Sequence, residues 1–236
     1  MTASMTTVAV PETLTAASLA RFRAALGEGS ATARGGPLVL RGGADMWCTG
    51  LSLDAIDGDL QANAAMDSLL DVLRRLRAHE GATVALVEGR AAGGGTGIAA
   101  ACDVVVAVRG ARFSLPEALF GLTPATVAPF VVARIGPARA RAMMLDGEAR
   151  DADWALGSGL ADLVVDLHEI EGALARLSRR LRRADGGAVL GVRRLTSPPD
   201  LEAALETGRG ETLRRLADPD VRARIRRFNA GQAPWQ

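Results

Sequence analysis

A run of three glycines, Gly93–Gly95, constrains the fold more than any other part of this 236-residue chain. It follows the apolar segment Val84–Val87, which is typical of a strand, and precedes the segment Ile98–Cys102, which is typical of a helix. A strand that turns into a helix through glycines exposes backbone N–H groups where the helix dipole adds partial positive charge. The sequence therefore predicts a site for an anion, either a phosphate or an oxyanion that forms only during a reaction.

Strand-like and helix-like segments alternate along the first part of the chain, with a loop at residues 44–54. The predicted elements are strands at Val8–Val10, Pro37–Arg41, Val84–Val87 and Val104–Val108, with helices at Ala16–Leu26 and Ala62–Arg77. This alternation predicts an α/β fold with a mainly parallel sheet covered by helices. From Thr126 onward the pattern is mostly helical, broken by one short strand at Asp162–Val165. We expect a core domain over residues 1–195 and a C-terminal helical extension over residues 196–236.

The composition excludes several classes of partner. The net charge is +1, which gives no global electrostatic reason to expect binding to nucleic acid or to an anionic membrane. No apolar run approaches the roughly 18 residues that span a bilayer, and the N-terminus lacks the features of a secretory signal. The two cysteines, Cys48 and Cys102, give no disulfide framework. We therefore expect a cytoplasmic protein that binds neither nucleic acid nor membrane.

Missing residue types limit the chemistry further. The chain has no lysine and no tyrosine, which excludes a lysine Schiff base, a phosphate-loop lysine and a tyrosine acid. Its two histidines, His79 and His168, are interpreted as surface or helix-end residues. No group of His, Cys and carboxylate residues has metal-ligand spacing, and Ile98 occupies the last glycine position of a dinucleotide-binding motif. The sequence therefore predicts neither a metal nor a bound cofactor.

Glu117 allows two interpretations. The segment Ser114–Glu117 matches a capping box, in which Ser114 caps a helix and Glu117 lies in its first turn. Alternatively, Glu117 is a general base or acid whose pKa is raised by apolar neighbours such as Phe113 and Phe120. The residues alone leave both interpretations open.

Three segments that occur in order resemble the crotonase superfamily, which comprises enoyl-CoA hydratases and isomerases. They are Trp47–Leu51, Gly89–Asp103 and Phe113–Gly121. The resemblance implies a spiral of ββα units surrounded by helices, assembled as a homotrimer or a dimer of trimers. It also implies a thioester substrate carried on coenzyme A or on a phosphopantetheine arm, with no separate cofactor.

The resemblance also assigns roles to individual residues. The backbone amides of Leu51 and Gly94 would hold the thioester oxygen, and Glu117 would be the catalytic carboxyl group. Trp47, Gly50, Gly93 and Leu122 would contact the substrate. Many hydratases of the superfamily carry a second glutamate at the position of Gly97, so the addition of water by a carboxylate pair is not expected here.

A narrower resemblance is to the dehydrating crotonases of polyketide β-branching cassettes. It rests on four segments, 92–103, 113–125, 129–136 and 227–235. It implies dehydration of a 3-hydroxy-3-methylglutaryl group on an acyl carrier protein to a 3-methylglutaconyl thioester. An arginine is a candidate partner for the distal carboxylate of that group, although the sequence does not identify which one. The alternatives are a coenzyme-A hydratase or double-bond isomerase, and a non-catalytic subunit that binds acyl thioesters.

Overall fold

A computed structural model describes residues 5–53 and 59–233. The strands are β1 (Thr6–Ala9), β2 (Leu38–Arg41), β3 (Met46–Cys48), β4 (Thr83–Val87), β5 (Arg90–Ala92), β6 (Val104–Val108), β7 (Arg112–Ser114), β8 (Arg150–Asp151) and β9 (Leu163–Val165). The helices are α1 (Ala16–Ala33), α2 (Asp59–Ala78), α3 (Gly94–Ala101), α4 (Ala128–Asp146), α5 (Ala152–Ser158), α6 (Ile170–Leu181), α7 (Gly186–Thr196), α8 (Leu201–Leu216) and α9 (Pro219–Asn229). Short 3-10 helices cover Pro116–Phe120 and Leu167–Glu169.

The strands form two sheets that the chain builds in alternation. The larger sheet has the order β1-β2-β4-β6-β9 and is parallel throughout. The smaller sheet has the order β3-β5-β7-β8, with only the β7–β8 pair antiparallel. Each of the pairs β2–β3, β4–β5 and β6–β7 therefore places one strand in each sheet before a helix follows. This repetition is the predicted spiral of ββα units, and the mainly parallel α/β fold is confirmed.

The central strands of the larger sheet, β2, β4 and β6, are buried on both faces, as their nearly continuous apolar sequences require. Along β4, Val84 and Leu86 belong to a cluster that packs against α6, whereas Ala85 and Val87 face the main core. Successive side chains of a strand point to opposite faces, so one strand serves both layers. The glycine turn follows β5 of the smaller sheet, which only residues 88–89 separate from the buried strand β4.

Helices α1 and α2 form the best-predicted helical pair. Thr15 caps α1 in a capping box with Ser18, as its position in the sequence indicates. The helix predicted at Ala62–Arg77 buries one apolar face, which comprises Met66, Leu69, Leu70, Leu73 and Leu76. Both helices extend beyond the predicted bounds because their end residues lack a strong sequence pattern.

Four strands, β3, β5, β7 and β8, and the helix α7 were not predicted. The predicted loop at residues 44–54 contains β3, and β5 precedes the glycine turn. Both strands are only three residues long, too short for periodicity to reveal them. Helix α7 is anchored by Arg193, whose buried contacts come from distant parts of the chain. The last residue of the predicted loop, Asp54, lies outside the described residues.

The C-terminal helices pack onto the rest of the fold through ion pairs. On α2, Arg74 contacts Glu202 at 3.0 Å and Glu206 at 2.7 Å, both on α8. Arg209 of α8 contacts Asp67 at 2.5 Å. Within the described residues, no helix is long and apolar enough to cross a bilayer.

Candidate active site

A cavity of about 370 Å³ lies beside the glycine turn. Its wall comes from the loop after β3, the start of α3, the 3-10 helix Pro116–Phe120 with the loop that follows, and the helices α2, α8 and α9. Five of the seven predicted site residues line it, namely Leu51, Gly93, Gly94, Glu117 and Leu122. The structure therefore brings together residues that are far apart in the sequence.

The glycine turn is held between two strands of the smaller sheet. The Gly93 amide donates to the Ser114 carbonyl at 3.0 Å. The buried Thr96 hydroxyl lies 2.9 Å from both the Ala91 and the Ser114 carbonyls. Gly93 adopts a φ of +53°, and a Cβ there would lie 2.9 Å from Oε1 of Glu117. A glycine is thus required both by the backbone conformation and by the space that the carboxyl group occupies.

The two amides predicted to hold an oxyanion lie on adjoining turns. The Leu14 amide donates to the Gly50 carbonyl at 2.8 Å, and the Ser52 amide donates to the Leu14 carbonyl at 2.9 Å. These two hydrogen bonds pair Leu14 with Gly50 and Ser52, the residues on either side of Leu51. The Leu51 amide therefore points away from Leu14. The Gly94 amide is the first of α3, so it belongs to the N–H groups that a helix leaves without an internal acceptor.

Close contact between these turns is possible because Gly50 has no side chain. A Cβ on Gly50 would lie 3.0 Å from the Gly94 nitrogen. Gly50 itself has a φ of +83°, which any other residue adopts only with strain. Leu51 and Gly94 are therefore neighbours across the cavity wall.

The Glu117 carboxyl group is held in an apolar environment. Its Oε2 is buried and has no hydrogen-bond partner among the described residues. Burial raises the pKa of Glu117 to about 7, against an ordinary value of 4.5, and a hydrogen bond from its own backbone opposes this shift only in part. The direction of the predicted pKa shift is confirmed. At neutral pH the group is present in both protonation states, as a general acid–base requires.

The capping-box interpretation of Ser114 is wrong. Ser114 is the last residue of β7, and Leu115 precedes the 3-10 helix without a side-chain cap. The Ser114 carbonyl instead accepts from Gly93 and Thr96, because β7 must pair with β5. Glu117 is therefore free of the capping role.

Two predicted substrate-binding residues do not line the cavity. The Trp47 side chain is completely buried in the main core, where β3 packs against its neighbours. Gly50 lies behind the wall, against the Ala92 carbonyl and the Gly94 nitrogen. The prediction that Trp47 contacts substrate is therefore corrected, because the side chain supports the turn that carries Leu51 and is not part of the wall.

The position of a second carboxylate is filled by an apolar side chain. A Cβ on Gly97 would collide with the Cβ and both methyl groups of Val127. Both residues are buried, since Val127 lies just before α4 and packs against α3. No side chain at position 97 fits without moving the start of α4.

The sequence did not reveal what the C-terminal helices contribute. Thr212, Leu216, Phe228 and Asn229 all line the cavity. Phe228 makes an edge-to-face contact with Phe120, with ring centroids 4.9 Å apart. No arginine lines the cavity among the described residues, so the expectation that an arginine holds a substrate carboxylate there is not met.

Neither histidine lies at this site. His79 directly follows α2, as expected for a helix-end residue, but it is buried and does not lie on the surface. Its Nδ1 lies 3.1 Å from the Ser30 hydroxyl and its Nε2 lies 3.0 Å from the Gly36 carbonyl. His168 lies in the short 3-10 helix and is exposed, as expected for a helix-end residue.

Comparison with known proteins identifies the family. The family model for enoyl-CoA hydratase/isomerase matches residues 9–194. The chain belongs to this family. It is thus an enzyme of the hydratase/dehydratase type, and its family position agrees with the resemblance to crotonases. The bacillaene synthase dehydratase PksH of Bacillus subtilis is 29% identical over 206 residues, covering 84% of this chain and 79% of that protein.

Solved structures of the family share the fold. An enoyl-CoA hydratase from Bacillus halodurans superposes with a TM-score of 0.85 at 18% identity, covering 93% of this chain and 94% of that one. A polyketide biosynthesis enoyl-CoA hydratase (pksH) from Bacillus subtilis gives a TM-score of 0.80 at 24% identity, covering 94% and 90%. Further curated hydratases match over 36% to 60% of their own length.

Proposed function

We propose that this enzyme dehydrates a 3-hydroxy-3-methylglutaryl thioester, carried on an acyl carrier protein, to a 3-methylglutaconyl thioester. One observation carries the proposal. Among the described residues, Glu117 is the one ionisable side chain that lines the cavity, and it lies beside the Gly93–Gly94 turn. A reaction in which a single carboxyl group acts first as base and then as acid fits this arrangement.

The proposed reaction begins at the carbon next to the thioester. The Leu51 and Gly94 amides donate hydrogen bonds to the thioester oxygen, and Glu117 removes a proton from C2. The electron pair of the broken C–H bond moves into an enolate, whose negative charge the two amides stabilise. Removing one such donor typically lowers a rate by about 100- to 1,000-fold.

The second step expels water. The electron pair of the enolate forms the C2–C3 double bond while the C3–O bond breaks. Glu117 gives its newly acquired proton to the departing hydroxyl, which leaves as water, and the carboxylate is restored. The pKa of about 7 suits both transfers, because neither protonation state is strongly favoured near neutral pH.

The name of the PksH relative and the segments shared with β-branching crotonases support the polyketide assignment. The proposal includes a phosphopantetheine-bound substrate, no separate cofactor, and assembly as a homotrimer or a dimer of trimers. The second candidate is a hydratase or double-bond isomerase that acts on a coenzyme A thioester. A lone Glu117 favours the isomerase, because one base can move a proton between two carbons.

The substrate assignment is tested with one acyl group on two carriers. We expect kcat/KM for loss of water to be at least tenfold higher with the carrier-protein thioester than with the coenzyme A thioester, by mass spectrometry of the acyl group. Equal rates on both carriers would favour the second candidate. Binding without turnover of any 3-hydroxyacyl or enoyl thioester would identify a non-catalytic subunit.

The pH dependence follows from the pKa of Glu117. Since the base must be ionised in the free enzyme, we expect kcat/KM for dehydration to rise about tenfold per pH unit below pH 7 and to level off above it. A rate that is constant between pH 5 and 8 would contradict the role of Glu117. The exposed Glu28, changed to glutamine, is the control and is expected to leave the profile unaltered.

A further inference from the structure

Two buried threonine hydroxyls face each other at the cavity from different elements. Thr126 precedes α4 and Thr212 lies on α8, and their side-chain oxygens are 3.5 Å apart. Both residues line the cavity, and they are only 4% and 6% exposed. The mechanism above uses neither of them.

Both hydroxyls make only long contacts within the protein. Thr126 has its other contact with the Met66 sulfur at 3.9 Å, and Thr212 lies 3.5 Å from the Thr123 carbonyl. Ordinary O–H···O hydrogen bonds are about 2.7–2.8 Å long. Burying a hydroxyl without a good hydrogen-bond partner is unfavourable. A ligand oxygen that accepts hydrogen bonds from both hydroxyls would remove this penalty and would thereby bind more tightly.

A close contact between two main-chain segments brings the two threonines together. Helix α8 meets the loop before α4 at Gly208, one turn before Thr212. A Cβ on Gly208 would lie 2.5 Å from the Ala125 carbonyl oxygen and 2.8 Å from the Thr126 nitrogen. The glycine thus permits a close approach that places one hydroxyl opposite the other.

The electrostatics at this place favour an anionic ligand group. Thr126 lies two residues before α4, whose first segment covers residues 128–135 up to a break at Gly136 and whose N-terminal end carries partial positive charge. The described cavity wall has no arginine, and the Thr126 and Thr212 hydroxyls are a closely spaced pair of donors that a substrate carboxylate could reach together. An additional cation is not needed for hydrogen bonding, because a carboxylate accepts readily from two hydroxyls.

We propose that the hydroxyls of Thr126 and Thr212 together donate hydrogen bonds to the distal carboxylate of the acyl chain. They select dicarboxylic over monocarboxylic acyl thioesters. This inference rests on the proposed function, since it names the group of that substrate which the cavity recognises. Hydrogen bonds to charged groups are the stronger class, so we expect the pair to account for a preference of about tenfold or more.

The test measures binding and does not require turnover. The ligands are the pantetheine thioesters of 3-methylglutarate and of 3-methylbutyrate, which lack the departing hydroxyl and differ in the distal carboxylate. We expect the wild-type protein to bind the dicarboxylic thioester at least tenfold more tightly in calorimetry. Thr126→Val and Thr212→Val, which keep the side-chain shape, are expected to reduce this preference to less than threefold.

Conservative variants and a control separate recognition from misfolding. Thr126→Ser and Thr212→Ser keep the hydroxyl and are expected to retain most of the preference. Thr32→Val makes the same change at an exposed position of α1 and is expected to alter nothing. A wild type without the preference, or valine variants that keep it, would overturn the inference. Failure to dehydrate the hydroxylated substrate, with the preference intact, would overturn the proposed function alone.

Discussion

Changing Glu117 to glutamine is expected to lower kcat/KM for dehydration by about 100- to 10,000-fold, the range typical for loss of a general acid–base. Glutamine has nearly the same shape, but it cannot take a proton from C2 or return one to the leaving hydroxyl. The measurement is mass spectrometry of the carrier-bound acyl group over time. Glu28→Gln removes one exposed carboxylate and serves as the matched control. Unchanged loss of water in the Glu117 variant would eliminate this residue as the catalyst.

The same change is expected to stabilise the fold above pH 7. The pKa of Glu117 is about 7 in the folded protein and near 4.5 in the unfolded chain, so the folded state binds the proton more tightly. Proton binding to Glu117 therefore stabilises the folded state. This stabilisation is complete below pH 4.5 and is lost as the pH rises through 7. A shift of this size corresponds to about 3 kcal/mol. Urea unfolding should therefore show Glu117→Gln to be more stable than the wild type at pH 8, with a smaller difference at pH 5.

Replacing Arg193 with methionine is expected to destabilise the protein by about 1.5–3 kcal/mol, the contribution typical of hydrogen bonds that involve a charged group. Arg193 is 6% exposed and lies on α7. Its guanidinium donates to Asp103 Oδ1 at 2.8 Å and also to Oδ2. It also donates to the carbonyls of Arg77, His79 and Gly81, in the last turn of α2 and the connection that leads to β4.

Without this guanidinium, the Asp103 carboxylate, whose side chain is 26% exposed, would keep only its hydrogen bonds to Thr83. Burial by itself would raise the pKa of Asp103, but Arg193 and Thr83 hold it below its ordinary value. The neighbouring Arg194 is exposed, so Arg194→Met is the matched control and should change the free energy of unfolding by less than about 0.5 kcal/mol. Equal urea midpoints for the two variants would show that the network does not stabilise the fold.

Local patterns predicted the parts of the fold that local forces determine. The apolar face of α2 repeats at helical spacing, and the glycine turn follows a strand as its composition requires. The raised pKa of Glu117 was foreseeable because its sequence neighbours are apolar, and burial is the cause of the shift in the structure. Such features depend on residues within about one or two turns of each other.

Features that depend on distant contacts were not predictable in this way. Ser114 and Glu117 match a capping box, but pairing of β7 with β5 keeps Ser114 in a strand. Trp47 lies in a segment that resembles a substrate-binding motif, yet its side chain is in the core. Thr212 reaches the cavity only because α8 folds back across α2 and the loop before α4. The resemblance segment that ends at Trp235 extends beyond the described residues.

The central claim is that Glu117 removes the C2 proton of a thioester whose oxygen is held by two backbone amides. Exchange of that proton with deuterated solvent tests it directly, in a 3-methylglutaryl thioester that has no hydroxyl to lose. We predict that the wild type and Glu28→Gln incorporate deuterium at C2, and that Glu117→Gln does so at least 100-fold more slowly. Incorporation by Glu117→Gln at the wild-type rate would contradict the account.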